Sequence, residues 1–328
     1  MFCKLSFLIL MLTLWGCEEV NPYSKVAAYD DLCQSIERYS ASVYDRNVNW
    51  DSLSQAYRIR ISEQLTESEY FEIIGELLRS FKDPHVWLIA PNQSMYTIDY
   101  LDYTQNIDKE LVIQSYVAKV TVHTPSILSG FVSDSIGYLL LEGFNGDADT
   151  NYSIYSEVIR RFQKTKGLII DLRINNGGSL YNAQHLLNML TSKKTVWHTT
   201  QNRTLHGFDS PYTWYIYPDR NLSYQHPVIV LTGRYTISAG ERFVLGARQL
   251  HQVTVLGDTT ANTQGSVMGR EMLNGWQYTF TFEKLLDVDG INHAGIGISP
   301  DQYLSPTSTI VGSKDLTVER AVDLINGN

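Results

Sequence analysis

Ser238 stands where an apolar strand gives way to a helix, at a place suited to nucleophilic chemistry. The surrounding residues 231–241 read L-T-G-R-Y-T-I-S-A-G-E. Backbone N–H groups in the first turn of a helix have no partner inside the helix, and the helix dipole adds partial positive charge. A serine here therefore lies beside groups that would stabilise a developing oxyanion. A serine that merely caps the helix is the simpler interpretation, and it needs no chemistry.

A second candidate element is the turn that follows the apolar strand at 167–171. Residues 171–178 read D-L-R-I-N-N-G-G, so that Gly177 and Gly178 are adjacent. Glycines let a backbone approach a ligand closely and present its N–H groups. A tight strand-to-helix turn, common in α/β proteins, explains the same pair without any function. Neither motif alone decides between chemistry and structure.

The first residues of the chain are typical of an export signal. Residues 5–15 are almost wholly apolar and follow Lys4. The run is shorter than the ~20 apolar residues that cross a bilayer as a helix, but it suits the hydrophobic region of a signal peptide. Because the run ends in L-W-G-C, it resembles a bacterial lipobox, which predicts lipidation of Cys17 as the first mature residue. An ordinary signal peptide with an incidental cysteine is the alternative.

Composition argues against several classes of function. The chain has 35 acidic and 26 basic residues, a net charge of -9 and no basic stripe, which argues against a nucleic-acid partner. After Cys3 and Cys17 only Cys33 remains, so no internal disulfide is expected. The histidines and cysteines have no metal-ligand spacing, and no phosphate-binding or dinucleotide glycine motif occurs. We therefore predict neither a metal nor a cofactor.

The periodicity of apolar residues predicts a helical N-terminal segment followed by an α/β core. Helical spacing runs through residues 27–81, where Thr66 and Glu69 form a capping box. Residues 111–122 are expected to be extended. From Ile136 onward strands and helices alternate, which predicts a mostly parallel sheet with crossover helices. The predicted organisation is a signal peptide (1–16), a helical domain (17–90), a strand-rich connection (91–133) and the α/β core (134–328).

Four motifs, in the same order along the chain, resemble those of the tail-specific peptidases, a family that includes C-terminal processing and tricorn-like serine peptidases. They are the turn at 171–178, T-I-S-A-G-E at 236–241, G-D-T-T at 257–260 and G-I-G-I-S-P-D at 295–301. The resemblance implies a crotonase-like α/β fold for the core, which would be the catalytic domain. It also implies that Ser238 is the nucleophile, with oxyanion donors from the Ala239 backbone and from the turn at Gly177 and Gly178.

The base that activates the serine distinguishes two branches of this family. Processing peptidases use a lysine, and the corresponding position here is Thr263, which cannot accept a proton at neutral pH. The tricorn-like branch uses a histidine in a D-x-H context before a strand, and this chain has Asp83, Pro84 and His85 there. Histidine titrates near neutrality, which suits a general base. The resemblance therefore implies His85 as the base, although a loop histidine without function is the simpler interpretation.

The tricorn-like branch also orients its histidine with an acidic residue just before the G-x-G-I segment. That position is Ala294 here, so either another group orients His85 or the activity is weak. Glu241 and His293 are candidate helpers, although both have structural explanations. Loss of such a carboxylate can cost ~10⁴ in turnover in a serine–histidine–aspartate triad.

The sequence thus predicts a serine-dependent peptidase that forms an acyl-enzyme on Ser238 and acts on peptides or proteins. Fewer than fifty residues separate Leu88 from Ile136, too few for the PDZ domain that many members insert, so specificity for C-terminal tails is not implied. The signal and Cys17 predict an exported lipoprotein of the bacterial cell envelope, anchored at the outer membrane. A catalytically degenerate homologue that binds ligands or peptides is the alternative, favoured by Thr263 and Ala294.

Overall fold

The computed structural model describes residues 24–133 and 135–328, so the predicted signal peptide (1–16) and Cys17 lie outside the described residues. The α-helices in these ranges are α1 (Lys25–Tyr39), α2 (Ser42–Asp45), α3 (Trp50–Arg58), α4 (Glu67–Arg79), α5 (Lys109–Tyr116), α6 (Ala148–Phe162), α7 (Leu180–Leu190), α8 (Ala239–Ala247) and α9 (Leu316–Asn326). Short 3₁₀ helices span Thr97–Tyr100 and Pro306–Ser308. None of the described helices is both long enough and apolar enough to cross a membrane.

The strands form one large sheet and several smaller ones. They are β1 (Trp87–Ala90), β2 (Gln93–Tyr96), β3 (Val117–Thr124), β4 (Ile127–Val132), β5 (Ile136–Leu141), β6 (Gly167–Asp171), β7 (Thr195–Thr204), β8 (Gly207–Phe208), β9 (Tyr212–Ile216), β10 (Val228–Thr232), β11 (Val253–Gly257), β12 (Val267–Glu271), β13 (Gln277–Thr281), β14 (Glu283–Leu286), β15 (Gln302–Tyr303), β16 (Ile310–Val311) and β17 (Lys314–Asp315). The largest sheet has the order β15-β11-β10-β6-β5-β4-β3.

This seven-stranded sheet is mostly parallel and forms the centre of the molecule. Strands β15, β11, β10, β6 and β5 are parallel, whereas β4 and β3 join antiparallel at one end. Apolar side chains of α6, α7 and α8 cover one face, and those of α5 and α9 cover the other. Because both faces are covered, β5, β6 and β10 are buried along their whole length. The predicted crotonase-like α/β fold with a preceding helical segment is confirmed.

The N-terminal helices pack against strands from the distant C-terminal half. Helices α1, α3 and α4 share an apolar core with the antiparallel sheet β12-β13-β1-β2. Tyr70 and Phe71 of α4 contact the Trp276 ring, with ring centroids 5.2 and 5.6 Å apart. The predicted capping box of Thr66 and Glu69 begins α4. Since β1 pairs with β13, this packing brings the segment that precedes β1 to the core.

Two parts of the chain differ from the secondary structure that the sequence predicts. Residues 109–116 form helix α5 rather than a strand, because the Asp108 carboxylate accepts the Leu111 N–H at 2.9 Å and caps the helix. Only β3 and β4 of the predicted connection (91–133) belong to the central sheet. A smaller sheet, in which β7 pairs with β8, β9 and β14, was not predicted from the sequence.

Candidate active site

Three turns meet at the edge of the central sheet where parallel strands β6, β10 and β11 end. This edge is where open α/β sheets bind ligands. The Ile237 N–H donates to the Asn175 carbonyl at 2.8 Å, and the Ser238 N–H donates to the Thr263 carbonyl at 3.0 Å. Backbone hydrogen bonds therefore join three segments: the turn after β6, the turn before α8 that carries Ser238, and the loop after β11 that carries Thr263. The turn with Ser238 is the middle one.

Ser238 has a strained backbone that capping alone does not explain. Its φ is 55° and its ψ is -114°, whereas an ordinary N-cap serine is extended. Such conformations cost about 1–3 kcal/mol, and they concentrate at active sites and ligand clamps. Two backbone hydrogen bonds hold it, one to Thr263 and one from the Arg242 N–H of the next helical turn at 3.0 Å. The serine is half-buried at the start of α8.

Gly177 gives Ser238 room but is not a free hydrogen-bond donor. A Cβ atom at Gly177 would lie 2.7 Å from the Cβ and 3.3 Å from the Oγ of Ser238, so a side chain would collide with the serine. The Gly177 N–H already donates to Asn175 Oδ1 at 3.0 Å. Because this N–H is engaged by Asn175, oxyanion donation by Gly177 stays a prediction that the structure does not support. Its contribution is the close approach of the turn to the serine.

The N–H groups of Gly178 and Ala239 remain available. Neither donates a hydrogen bond within residues 24–133 and 135–328. Gly178 has a φ of 121°, and a side chain there would collide with the Phe144 backbone. Both residues line a pocket of about 250 Å³ in front of Ser238. The other lining residues are Leu180, Arg242, Gly265, Ser266 and Val267.

His85 is joined to the serine through Thr263. The His85 Nδ1 atom lies 3.0 Å from Thr263 Oγ1 and 3.4 Å from Thr281 Oγ1. Thr263 in turn accepts the Ser238 N–H through its carbonyl. The part of the chain that the structure describes contains no hydrogen bond from His85 to the Ser238 hydroxyl. Catalytic hydrogen bonds are often long in free enzymes and tighten when substrate binds.

The hydrogen-bond network selects one tautomer of His85. Thr263 Oγ1 donates its proton to Asp83 Oδ1 at 2.6 Å, and Thr281 Oγ1 donates its proton to Asp83 Oδ2 at 2.9 Å. Both hydroxyls can then only accept from the imidazole. His85 must carry its proton on Nδ1, which leaves the Nε2 lone pair free. A free Nε2 lone pair is what a general base requires.

The charge state of His85 agrees with this role. Burial lowers the pKa of His85 to about 4, the Asp83 charge opposes that shift, and Arg242 and Arg46 add to it. The imidazole is therefore neutral at pH 7 and able to accept a proton.

Asp83 is a buried carboxylate that the sequence indicated only as the first residue of the D-x-H context. It is 1% exposed and accepts hydrogen bonds from Ser42, Thr263, Thr281 and the His85 N–H. Burial alone would raise the Asp83 pKa, but Arg46, His85 and the Thr263 hydroxyl outweigh burial and hold that pKa below its usual range. Asp83 thus stays ionised beside His85.

Arg46 connects this carboxylate to the segment that carries Thr263. Its Nε atom lies 3.5 Å from Asp83 Oδ2, and its Nη2 atom donates to the carbonyl of Asn262 at 2.7 Å. The same guanidinium donates to the Lys82 carbonyl at 2.7 Å. A single side chain therefore fixes the segment before His85 against the segment before Thr263.

Glu241 supports the nucleophile turn and does not bond to His85. Its carboxylate accepts the Thr260 hydroxyl at 2.6 Å and the N–H groups of Asn262 and Thr263 at 3.0 and 2.8 Å. Burial raises the pKa of Glu241 to about 7, although these donors oppose the shift. Glu241 therefore fixes the backbone of Thr263 by accepting its N–H.

The other residues named from the sequence have different positions. His293, the second candidate helper, bonds to Asp287 at 2.7 Å and not to His85. Ala294 and Asp83 line the same small cavity, so a carboxylate is present beside the position where the acidic residue is missing. Within the described residues, no group of three or more histidine, cysteine, aspartate or glutamate side chains is arranged to hold a metal ion.

The sequence motifs indicated Ser238 and His85 as candidates but did not indicate the groups that connect them. Asp83 and Thr263 are separated by 180 positions, so no local sequence pattern links them. One signal was present in the sequence, namely the position of Asp83 two residues before His85 in the D-x-H context.

Comparison with known proteins identifies the family of this chain. A profile of peptidase family S41 matches residues 135–304, just over half of the 328 residues. The chain belongs to peptidase family S41. The predicted relationship to the tricorn and C-terminal processing peptidases is thereby confirmed. Members of family S41 are serine peptidases.

Two curated relatives carry the names of both branches. The chain is 27% identical to the tricorn protease of Thermoplasma volcanium over 169 residues, which cover 48% of this chain and 14% of the relative. It is 23% identical over 249 residues to the carboxyl-terminal-processing protease of Synechocystis sp., which cover 73% of this chain and 55% of the relative. The chain thus spans about half the length of one relative and about a seventh of the other.

Solved structures share the fold over almost the whole chain. A candidate peptidase from Parabacteroides merdae superposes with a TM-score of 0.81 at 26% identity, covering 92% of this chain and 96% of that chain. Mature CPAF complexed with lactacystin has a TM-score of 0.70 at 12% identity, covering 94% and 99%. A lipoprotein from Streptococcus agalactiae has a TM-score of 0.62 at 16% identity, covering 95% and 99%. The last two likenesses concern the fold alone.

Proposed function

We propose that this protein is a serine peptidase that hydrolyses peptide bonds through an acyl-enzyme on Ser238, with His85 as the base. The observation that carries the proposal is the hydrogen-bonded chain from Asp83 through Thr263 to His85 Nδ1, next to a strained serine. Thr263 stands where processing peptidases have their lysine. Here its hydroxyl connects a carboxylate to an imidazole, which explains how the site could work without that lysine.

The first chemical step forms the acyl-enzyme. His85 Nε2 takes the hydroxyl proton of Ser238 while Oγ attacks the carbonyl carbon of the scissile peptide bond. The carbonyl oxygen becomes an oxyanion, which the free N–H groups of Gly178 and Ala239 stabilise. The imidazolium then gives its proton to the leaving amine as the C–N bond breaks. A water molecule hydrolyses the acyl-enzyme by the same route in reverse.

Asp83 stabilises the charge that appears on His85 during these steps. The imidazolium Nδ1–H donates to Thr263 Oγ1, which is polarised by its own hydrogen bond to Asp83. The carboxylate is ionised and desolvated, so its field acts strongly over this short distance. It does not need to accept the proton itself.

The substrate and the cellular location belong to the same proposal. Peptides or protein segments of the bacterial cell envelope are the proposed substrates, and a lipid on Cys17 would anchor the enzyme at the outer membrane. The export signal at 5–15 and the L-W-G-C sequence support the anchor. Metabolic labelling with a radioactive fatty acid tests it, since a Cys17→Ser variant should lose the label and leave the membrane fraction. Equal labelling of both proteins would contradict the anchor.

Labelling with a fluorophosphonate probe tests the nucleophile. Wild-type protein should be labelled, and mass spectrometry of its peptides should place the adduct on Ser238. Ser238→Ala should not react, and His85→Gln should react at least ~10²-fold more slowly because it lacks the base. Absence of labelling above the Ser238→Ala background would reject the peptidase and favour the degenerate binding protein.

A further inference from the structure

The sheet β12-β13-β1-β2 has a face that leads away from His85. Alternate residues of a strand share one face, and directly paired residues share it as well. On this face the strands pair Val267 with Thr281, Gly269 with Thr279, and Glu271 with Gln277. These pairs form three successive rows across the sheet, and Val267 in the first row also lines the pocket in front of Ser238.

The neighbouring strand extends each of these rows. His85 contacts Thr281 in the first row, and the Trp87 N–H donates to the Thr279 hydroxyl at 3.1 Å in the second. Ile89 pairs with Gln277 in the third row. Rows on one face of a strand are ~6.6–6.8 Å apart. The face is thus a track that begins at the base and continues outward.

A second pocket, of about 320 Å³, lies over the second and third rows. It is lined by Trp87, Gly269, Arg270, Glu271 and Gln277. Its centre is ~10 Å along the sheet from the His85 row, which is about three residues of an extended peptide. A peptide whose scissile bond lies at Ser238 could therefore place one side chain there.

The groups in this pocket suit a positively charged side chain. Trp87 offers a half-buried ring, and within residues 24–133 and 135–328 the Glu271 carboxylate has no ion-pair or hydrogen-bond partner. Arg270 also lines the pocket, but within the described residues it forms no ion pair with Glu271, because its guanidinium lies over the Tyr39 ring, 5.3 Å from the centroid. A cation over an indole ring beside an unpaired carboxylate gains both cation–π and Coulomb attraction.

We infer that this pocket is a subsite for a lysine or arginine side chain of the substrate peptide, about three residues from the scissile bond. The inference rests on the proposed peptidase function and adds a substrate preference to it. The net charge of -9 would also attract basic peptides from a distance. In this chain the specificity comes from Trp87 and Glu271, which lie outside the catalytic groups.

Gly269 allows a direct test of the pocket, because it lines the pocket and has no side chain that would occupy it. A Cβ there would have Thr279 Cγ2 at 3.9 Å as its near neighbour, which is ordinary contact. The glycine also lacks a positive φ. Gly269→Leu should therefore fold normally and fill the pocket. Ser94→Leu is the matched control, since Ser94 is exposed, pairs with Ile89 on the same face and does not line the pocket.

The experiment measures kcat/KM for internally quenched peptides in which lysine is moved along a glutamine-rich sequence. The readout is the ratio of the lysine peptide to its glutamine counterpart, which does not depend on how much active enzyme is present. For wild type we expect a ratio of about three to thirty at one position two to four residues from the cleavage site. Glu271→Gln should lower this ratio about two- to fivefold, and Gly269→Leu should bring it close to one. Ser94→Leu should keep the wild-type ratio.

Two results would overturn the subsite. One is a wild-type ratio near one at every position, and the other is a full preference for lysine in both Glu271→Gln and Gly269→Leu. Binding of fluorescent lysine and glutamine peptides to the Ser238→Ala variant separates this failure from that of the proposed function. Suppose that wild type neither reacts with fluorophosphonate nor cleaves peptides. In that case the subsite would still be supported if the lysine peptide binds more tightly than the glutamine peptide and if Glu271→Gln removes this difference. Equal binding of both peptides would reject it.

Discussion

Two buried charge networks, one around Arg173 and one around Asp83, serve different ends. In the first, Arg173 is fully buried and donates to Asp171 at 2.7 Å, to Asp315 at 2.8 Å and to the Asn106 carbonyl at 2.9 Å. The Tyr138 hydroxyl donates to Asp171 at 2.8 Å. Asp315 also caps α9. This network ties the C-terminal helix to the sheet.

The second network, around Asp83, ends differently. Its carboxylate is as deeply buried and as well hydrogen-bonded, yet the chain of donors and acceptors leads outward through Thr263 to His85. There it stops at the Nε2 lone pair of His85, and the carbonyl of the same threonine accepts the N–H of Ser238. In the first network the charged groups bond to one another, to backbone and to Tyr138.

This difference between the two networks indicates how a buried charged group can be recognised as serving stability or serving function. A network whose groups satisfy one another adds little net stability over apolar packing, but it is costly to break. A network that ends at a titratable group next to a cavity sets the charge and orientation of that group. Substitutions in the two networks should therefore separate loss of activity from loss of folding.

Asp83→Asn should have the largest effect on activity. An asparagine amide can donate to Thr263, whose hydroxyl would then turn toward His85 Nδ1 and favour the tautomer protonated on Nε2. By analogy with the serine–histidine–aspartate triad, we expect the rate of fluorophosphonate labelling to fall by ~10³–10⁴. Circular dichroism and denaturant unfolding should show a folded protein. A labelling rate within tenfold of wild type would mean that Asp83 does not set the tautomer.

Arg173→Met should have the largest effect on stability. It leaves Asp171 and Asp315 buried without their cation, which we expect to lower the free energy of unfolding by about 3–5 kcal/mol. Urea denaturation measures this change, with labelling rates normalised to the folded fraction. If the variant keeps its stability and still loses labelling, the first network belongs to the active site and the comparison between the networks fails.

Thr263→Val should cost less than loss of the carboxylate but should act on the same property. Valine has nearly the same shape and removes the hydroxyl that joins Asp83 to His85, so we expect labelling to slow by ~10²-fold. Thr263→Ser restores the hydroxyl and should stay within about tenfold of wild type. The expected rescue by serine is the decisive outcome, because a purely packing role for Thr263 predicts that valine is the milder change.

The smallest effect concerns pH. Because burial lowers the pKa of His85 to about 4, the labelling rate should stay nearly constant from pH 8 to 6 and fall only as the pH approaches 4. The folded state binds fewer protons at His85 than the unfolded state, so this group's stabilisation is lost as the pH falls from 6.5 through 4. An activity midpoint near 6.5 would contradict a desolvated histidine. A step near pH 7 that disappears in Glu241→Gln would belong to Glu241.

The fold and the position of Ser238 at the start of a helix could be predicted because their signals are local. Apolar periodicity indicated the strands and crossover helices, and a few consecutive residues marked Ser238 and the turn at Gly178. Helix α5 was missed because the Asp108 cap outweighed the extended pattern at 111–122.

The Asp83 network could not be predicted from local sequence patterns. Its members come from α2 and the loops before β1 and β12, as well as from β13, and they meet only when the N-terminal helices pack on the sheet β12-β13-β1-β2. The sequence showed a missing lysine at Thr263 and a missing acid at Ala294. It did not show that Asp83, reached through the same threonine, lies beside both positions.

The tautomer of His85 tests the central claim most directly. A long-range ¹H–¹⁵N correlation spectrum at neutral pH distinguishes the two ring nitrogens, and His85→Gln assigns the signals among the eight histidines. We predict a neutral ring with the proton on Nδ1 and an unprotonated Nε2 in wild type, and loss of this preference in Asp83→Asn. A proton on Nε2 in the wild-type protein would contradict the account, because His85 could then not accept the proton of Ser238.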